Sequence, residues 1–391
     1  MTSRLLRAFA AVFLLFSVLA GALAALQADR GLLDFGAFYM AGVAEERGLD
    51  PYGVYPELAA QTGADFGYDD GRGHSPNLNP PISIYPFSLL AGASPGDVKT
   101  ALNIASAAVF AAAGVALLLA YPQHRNILGV LWIAAFAGLW YTLWLGQVYV
   151  LLLAPALGAW FLIQRGTHPL LAGVMIGLLV AVKPNLALLP LFLLLAGHPR
   201  IALSGFVTAA GVSAVPLLLE GPGIYGQWLD AIDAYPRIGL SSNASLVGQA
   251  ERLGVIEAGY VLSALLIAGA ALLVWRLRPA PLQATAWGIM VALIAAPVAW
   301  IGYNLLALPV LLSRRWGVGE WAAATGLSAI WFVLGRGEVF LAASCLLLLL
   351  LLRDQLAGRD LGRRVEDMRA VNPGRSRGEQ PLPHIVGASE P

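Results

Sequence analysis

"LLRAFAAVFLLFSVLAGALAAL", residues 5–26, carries a single charge, Arg7. A helix rising about 1.5 Å per residue needs about 20 apolar residues to cross about 30 Å of hydrocarbon. The run therefore reads as a membrane span. Similar runs recur along the chain, which has 391 residues, 58% hydrophobic and 12% charged. A soluble domain carries about 25% charged residues. So few charges cannot cover a water-facing surface, so most of the surface must face lipid. The pattern predicts an all-α polytopic membrane protein.

Arg4 and Arg7, the apolar run and the small residues near Ala25 and Ala28 also fit a cleaved signal peptide. The length of the run, and the spans that follow, favour an uncleaved first helix. The net charge of +1 leaves no nucleic-acid footprint. The one cysteine, Cys345, excludes disulfides and cysteine metal sites.

Twelve spans are predicted: 5–26, 98–120, 128–144, 147–163, 169–183, 185–197, 201–219, 258–275, 281–298, 300–313, 320–334 and 338–352. Arg125, Arg165, Arg200, Arg276, Arg278, Arg314, Arg315 and the run from Arg353 then fall on one side. Basic loops mark the cytoplasmic face, so both termini are expected there. Two long outer loops, 27–97 and 220–257, hold most of the acids. Their Pro, Gly, Asn and aromatic content predicts ordered structure. "PPISIYPFSLLAG", residues 80–92, is too short and too proline-rich for a span and reads as a re-entrant or interfacial segment. No repeat is visible. Residues 1–352 form one membrane domain, and 353–391 a mostly disordered cytoplasmic tail.

The conspicuous polar residues collect on the outer side. "RGLLDFGAFYMAG" (30–42) sets Asp34 among apolar and aromatic residues. Asp34 could favour the start of the next helix, or be a functional carboxylate near the bilayer; residue type alone leaves both open. Lys183, in "AVKPN", could snorkel or line a cavity at a proline-broken helix. Asn243 with Ser245 is a glycosylation sequon or a helix cap. Trp300 and Tyr303 could be ordinary belt residues.

Taken in order, these stretches resemble glycosyltransferase family 87, over roughly residues 5–350. The motifs are Asp34 followed by Phe35 to Tyr39; Gly48-Leu49-Asp50-Pro51-Tyr52; Asn79-Pro80-Pro81; Gly146-Gln147; Lys183-Pro184; Asn243-Ala244-Ser245-Leu246 with Arg252; and Pro297 with Trp300. One departure stands out. The family often has histidine just after that tryptophan, where this chain reads Ile301-Gly302-Tyr303.

The resemblance implies a GT-C-type bundle of about twelve helices and a hexosyltransferase, with mannose the expected sugar (a mannosyltransferase), in the plasma (inner) membrane. The donor would be a polyprenyl-phosphate sugar and the acceptor a glycolipid or glycan hydroxyl, both met at the outer face among membrane lipids. Asp34 would act as base in an inverting transfer, because the phosphate leaving group needs little protonation. Lys183 and Arg252, with Arg237 a weaker candidate, would hold the donor phosphate. Tyr39, Tyr52, Asn79, Gln147, Asn243, Trp300 and Tyr303 would contact substrate. No acidic cluster resembles a nucleotide-sugar metal site, so neither metal nor other cofactor is expected. The alternatives are a transporter or flippase, a GT-C enzyme moving another sugar, and a non-catalytic scaffold. Polar residues gathered on one face, not at a midplane repeat interface, argue against transport.

Overall fold

The computed structural model describes residues 2–27, 31–62, 76–236 and 238–358. Arg237 and most of the expected tail lie outside them. Among the described residues the protein is all-α. Its only extended pairings are isolated bridges, Phe136 with Ser328 and Asn243 with Trp300.

Among the described residues, five helices are long and apolar enough to cross a membrane: Arg7–Gln27, Pro95–Ala120, Pro199–Glu220, Ile256–Leu277 and Gly337–Leu356. Their outward residues are apolar, such as Phe16, Val115, Val207 and Leu265, each more than half exposed. Only lipid makes such surfaces stable. Shorter apolar helices are Tyr149–Arg165, Pro169–Val182, Pro184–Leu195, Pro281–Ala295 and Ile301–Leu312. Pro281–Ala295 is buried from Leu282 to Ala295. A helix apolar all round belongs in a core, not at a surface.

Each of the twelve sequence segments falls on one helix or on two short helices in series. Segment 128–144 breaks into Ile127–Ala134 and Ala137–Leu145, and segment 320–334 into Val318–Gly326 and Ala329–Val333. The breaks face each other. Ala137 N–H donates to Leu327 O (3.0 Å), and Ala329 N–H to Ala135 O (2.8 Å). Backbone groups freed by a break need partners away from water, and here each break supplies the other. Residues 80–92 form a three-residue 3-10 turn, Pro81–Ser83, and a single helical turn, Tyr85–Ser88. Phe87 anchors them on Phe38, with ring centroids 5.2 Å apart.

The arginine-bearing connections converge on one end of the bundle. Tyr121 Oη bonds Gln164 (3.1 Å), His198 Nε2 bonds Pro279 O (2.9 Å), Gln283 Nε2 bonds Leu351 O (3.3 Å) and His124 Nε2 bonds Arg314 O (2.9 Å). At that end Arg314, fully buried, pairs with Asp354 (2.7 Å) and Glu320 (3.0 Å). A buried guanidinium requires such partners. The opposite end carries the helices Leu33–Glu46 and Gly223–Ala234, which lie beyond the long spans in the chain.

Candidate functional site

Asp34 lies in the first turn of the helix Leu33–Glu46, with Leu32 as its N-cap. An acid there is favoured by the helix dipole, but its side chain turns to another part of the chain. Gln147 Nε2 donates to Asp34 Oδ2 at 2.7 Å. The preceding residue, Leu33, sits at φ 49°, a left-handed conformation costing a non-glycine residue about 1–2 kcal/mol. Backbone strain of this kind concentrates at functional positions.

Gln147 is placed by its own local structure. The helix Ala137–Leu145 ends at Gly146 with φ 68°. Gln147 N–H returns to Thr142 O at 3.0 Å, closing the helix end as a left-handed glycine allows. A Cβ on Gly146 would lie 2.6 Å from Phe35 Cβ. The glycine therefore permits both the turn and the approach to the residue after Asp34. Gln147 is buried, and its Oε1 has no hydrogen-bond partner among the described residues.

Lys183 ends the helix Pro169–Val182, where Pro184 starts a 3-10 turn. It is buried, and its ammonium donates to Asn79 Oδ1. The ammonium also lies over the rings of Tyr149 (5.0 Å) and Tyr303 (5.2 Å), an arrangement that stabilises a desolvated cation. Those rings meet edge to face at 4.9 Å, and their hydroxyls are hydrogen-bonded. A Cβ on Gly302 would lie 2.1 Å from the Tyr149 ring, so glycine makes room for that ring. Asp34 interacts electrostatically with Lys183, Tyr141, Tyr149 and Tyr303. One carboxylate and one cation thus share a polar centre walled by tyrosines.

Asn79 is held from the loop side. Its N–H and Nδ2 both donate to Asn77 Oδ1 (3.0 and 2.8 Å), and Tyr52 Oη donates to Asn79 O at 2.9 Å. Burial pushes the Tyr52 phenol well up, which keeps it a donor. Tyr39 Oη donates to Ala93 O (2.8 Å) and Ala91 O (3.2 Å), and its ring stacks on Phe35. These tyrosines hold loop backbone to the site.

Asn243 and Arg252 belong to a neighbouring network. Asn243 is fully buried. Its Nδ2 donates to Ile238 O (2.8 Å) and Pro297 O (3.0 Å), and its Oδ1 accepts from Ala299 N (2.9 Å). That leaves no room for a glycan, and Ser245, not Asn243, caps the helix Leu246–Arg252. Arg252 donates to Leu240 O, Asn243 O and Gln249 Oε1 (2.8–3.0 Å). Its described hydrogen bonds all go to residues 240–249. Burial lowers its pKa, and Glu338 opposes that by raising it. The network bridges to Trp300, half-buried, and so fixes the backbone that carries Tyr303.

Tyr141, Tyr149 and Lys99 are the residues that sequence reasoning missed. Lys99 Nζ, buried, donates to Gly31 O at 2.6 Å, just before Asp34. Its sequence signal was its rarity, since it is the only lysine besides Lys183. Nothing in the sequence marked Tyr141 or Tyr149 among the other aromatics.

A family model, glycosyltransferase family 87, matches residues 77–299. The match includes Asn79, Gln147, Lys183, Asn243 and Arg252, and begins after Asp34. No curated protein and no solved structure matches the chain.

Proposed function

The chain belongs to glycosyltransferase family 87, and from that membership we propose that it transfers a hexose, with mannose the first to test, from a polyprenyl phosphate to a sugar hydroxyl. The observation that carries this reading is the shared centre of Asp34, Lys183, Gln147 and the tyrosines 149 and 303, opposite the basic end of the bundle.

Asp34 Oδ removes the proton of the acceptor hydroxyl as that oxygen attacks the anomeric carbon. The new C–O bond forms as the bond from the anomeric carbon to the phosphate oxygen breaks. The electron pair leaves with the polyprenyl phosphate, and the configuration inverts. Gln147 orients the carboxylate. Its unpartnered Oε1 is free to accept a substrate hydroxyl. Lys183 stabilises the charge growing on the phosphate, and its burial makes that charge more effective. Asn79 aims the ammonium, while Tyr52 fixes Asn79. Leu152, Leu186, Leu305 and Leu306 pack around Lys183 and keep its surroundings apolar, which strengthens the charge's effect. Tyr303 takes the place of the family histidine. Arg252 and Asn243 serve by positioning the loop next to Trp300.

The same reading has twelve crossings of GT-C type, both termini in the cytoplasm and the site at the outer face of the plasma membrane. The convergence of the arginine loops supports this orientation. Transfer of radiolabelled sugar from polyprenyl-phosphate donors to membrane acceptors tests the function, with Asp34→Asn as the comparison. Loss of transfer by at least a hundredfold is expected. Undiminished transfer by the variant would end the base role, and donor flipping without transfer would establish a transporter.

A further inference from the structure

Beyond the Asp34 centre, at the same end, lies a cavity of about 360 Å³. Tyr141, Trp144 and Phe332 form an aromatic wall, with ring centroids 5.4–6.2 Å apart. Ser241, Ser242 and Gln27 supply polar groups. Tyr141 is common to the cavity and the centre. It lines the cavity, hydrogen-bonds Ser242 and interacts electrostatically with Asp34.

We propose that this cavity binds the acceptor as a hexopyranoside ring, next to the Asp34 centre and lined by residues other than those around Lys183. This rests on the transferase reading above. A pyranose has apolar C–H faces and a rim of hydroxyls. It therefore needs flat aromatic surface together with hydroxyl and amide partners, and few other ligands use both. The volume lies at the small end of ligand pockets, which run from about 300 to 1,000 Å³, and suits one or two rings. An inverting transfer also needs acceptor and leaving phosphate on opposite sides of the anomeric carbon. The aromatic cavity and the surroundings of Lys183 share no lining residue: Ile301 borders the cavity, and the next two residues, Gly302 and Tyr303, border the lysine. Ala24 and Gln27 form one rim of the cavity, beside Leu23 and Leu26, which are 59% and 73% exposed on the lipid-facing first helix. The mouth is thus at the bilayer surface, within reach of a lipid-linked sugar.

The test is saturation binding of radiolabelled octyl α-mannoside and methyl α-mannoside to the full chain in nanodiscs. Wild type should bind at least one. Trp144→Ala should weaken binding at least tenfold, Trp144→Phe by no more than about threefold, and Lys183→Ala hardly at all. Tighter binding of the octyl probe identifies a lipid-linked acceptor, and equal binding a free glycan. No binding to wild type, or equal binding by Trp144→Ala, overturns the proposal. In the transfer assay Trp144→Ala should raise the acceptor KM and leave the donor KM within twofold. A raised donor KM instead would assign the cavity to the donor. Probe binding without any transfer by wild type would remove the transferase reading and leave the cavity as a sugar site. Transfer with an unaltered acceptor KM would do the reverse.

Discussion

Asp34 and Gln147 are 113 residues apart in the chain and meet at 2.7 Å. The contact joins the helix Leu33–Glu46 to the end of the helix Ala137–Leu145. A hydrogen bond to a charged group contributes about 1.5–3 kcal/mol, which corresponds to about 10- to 100-fold in rate if it is needed in the transition state. Gln147→Ala should lower kcat by that range while the protein still folds, as measured by thermal unfolding in detergent. Gln147→Glu would bring two carboxylates together and raise the affinity of the pair for a proton. Its acid limb in the pH–rate profile should therefore move to higher pH.

Lys183 should act on the donor more than on the acceptor. Lys183→Ala is expected to raise the donor KM about tenfold or more, with the acceptor KM little changed. Lys183→Arg should recover only part of the loss, because a planar fork does not reproduce a point charge between two tyrosine faces. Initial-rate kinetics with each substrate varied in turn would show it. An unchanged donor KM in the alanine variant would leave the lysine a structural role only.

Gly302 leaves the space that the Tyr149 ring occupies. In Gly302→Ala the added methyl must displace that ring, and overpacking costs about 1–3 kcal/mol. A lower Tm and weaker transfer are expected together. Gly211→Ala, where a Cβ meets nothing within 4 Å, should change neither, which controls for glycine replacement in general.

Glu45 and Glu220 line one cavity of about 240 Å³. Burial, and then the Glu220 carboxylate, push Glu45 up from its usual range to about 7. The folded state therefore holds its proton more tightly than the unfolded chain does. Stability from this group is complete below the unfolded pKa of about 4.5 and falls as pH rises through 7. Glu45→Gln should flatten that fall between about pH 4.5 and 7, followed by denaturation across a pH series. A slope as steep as wild type would assign it to other groups.

The class of fold was legible from composition and from runs such as 5–26, because hydrocarbon imposes a length and an apolarity that a linear pattern records. Arginine placement also separated the two ends of the bundle, and the hydrogen bonds from His124, His198 and Gln283 bring those connections together. The outer polar residues were visible as exceptions in an apolar chain. Their division of labour was not. Asn243 and Arg252 looked like ligands for substrate, but their donors go largely to backbone carbonyls. Only tertiary structure settles where a hydrogen bond goes, since the partners lie up to 56 residues away. Tyr141 and Tyr149 gain significance only by facing Asp34 and Lys183. By itself the sequence determined that this is a helical membrane protein with its polar residues at one end. The packing of separate helices decided which of them share a centre, because distance between side chains is set by helix contacts and not by spacing along the chain.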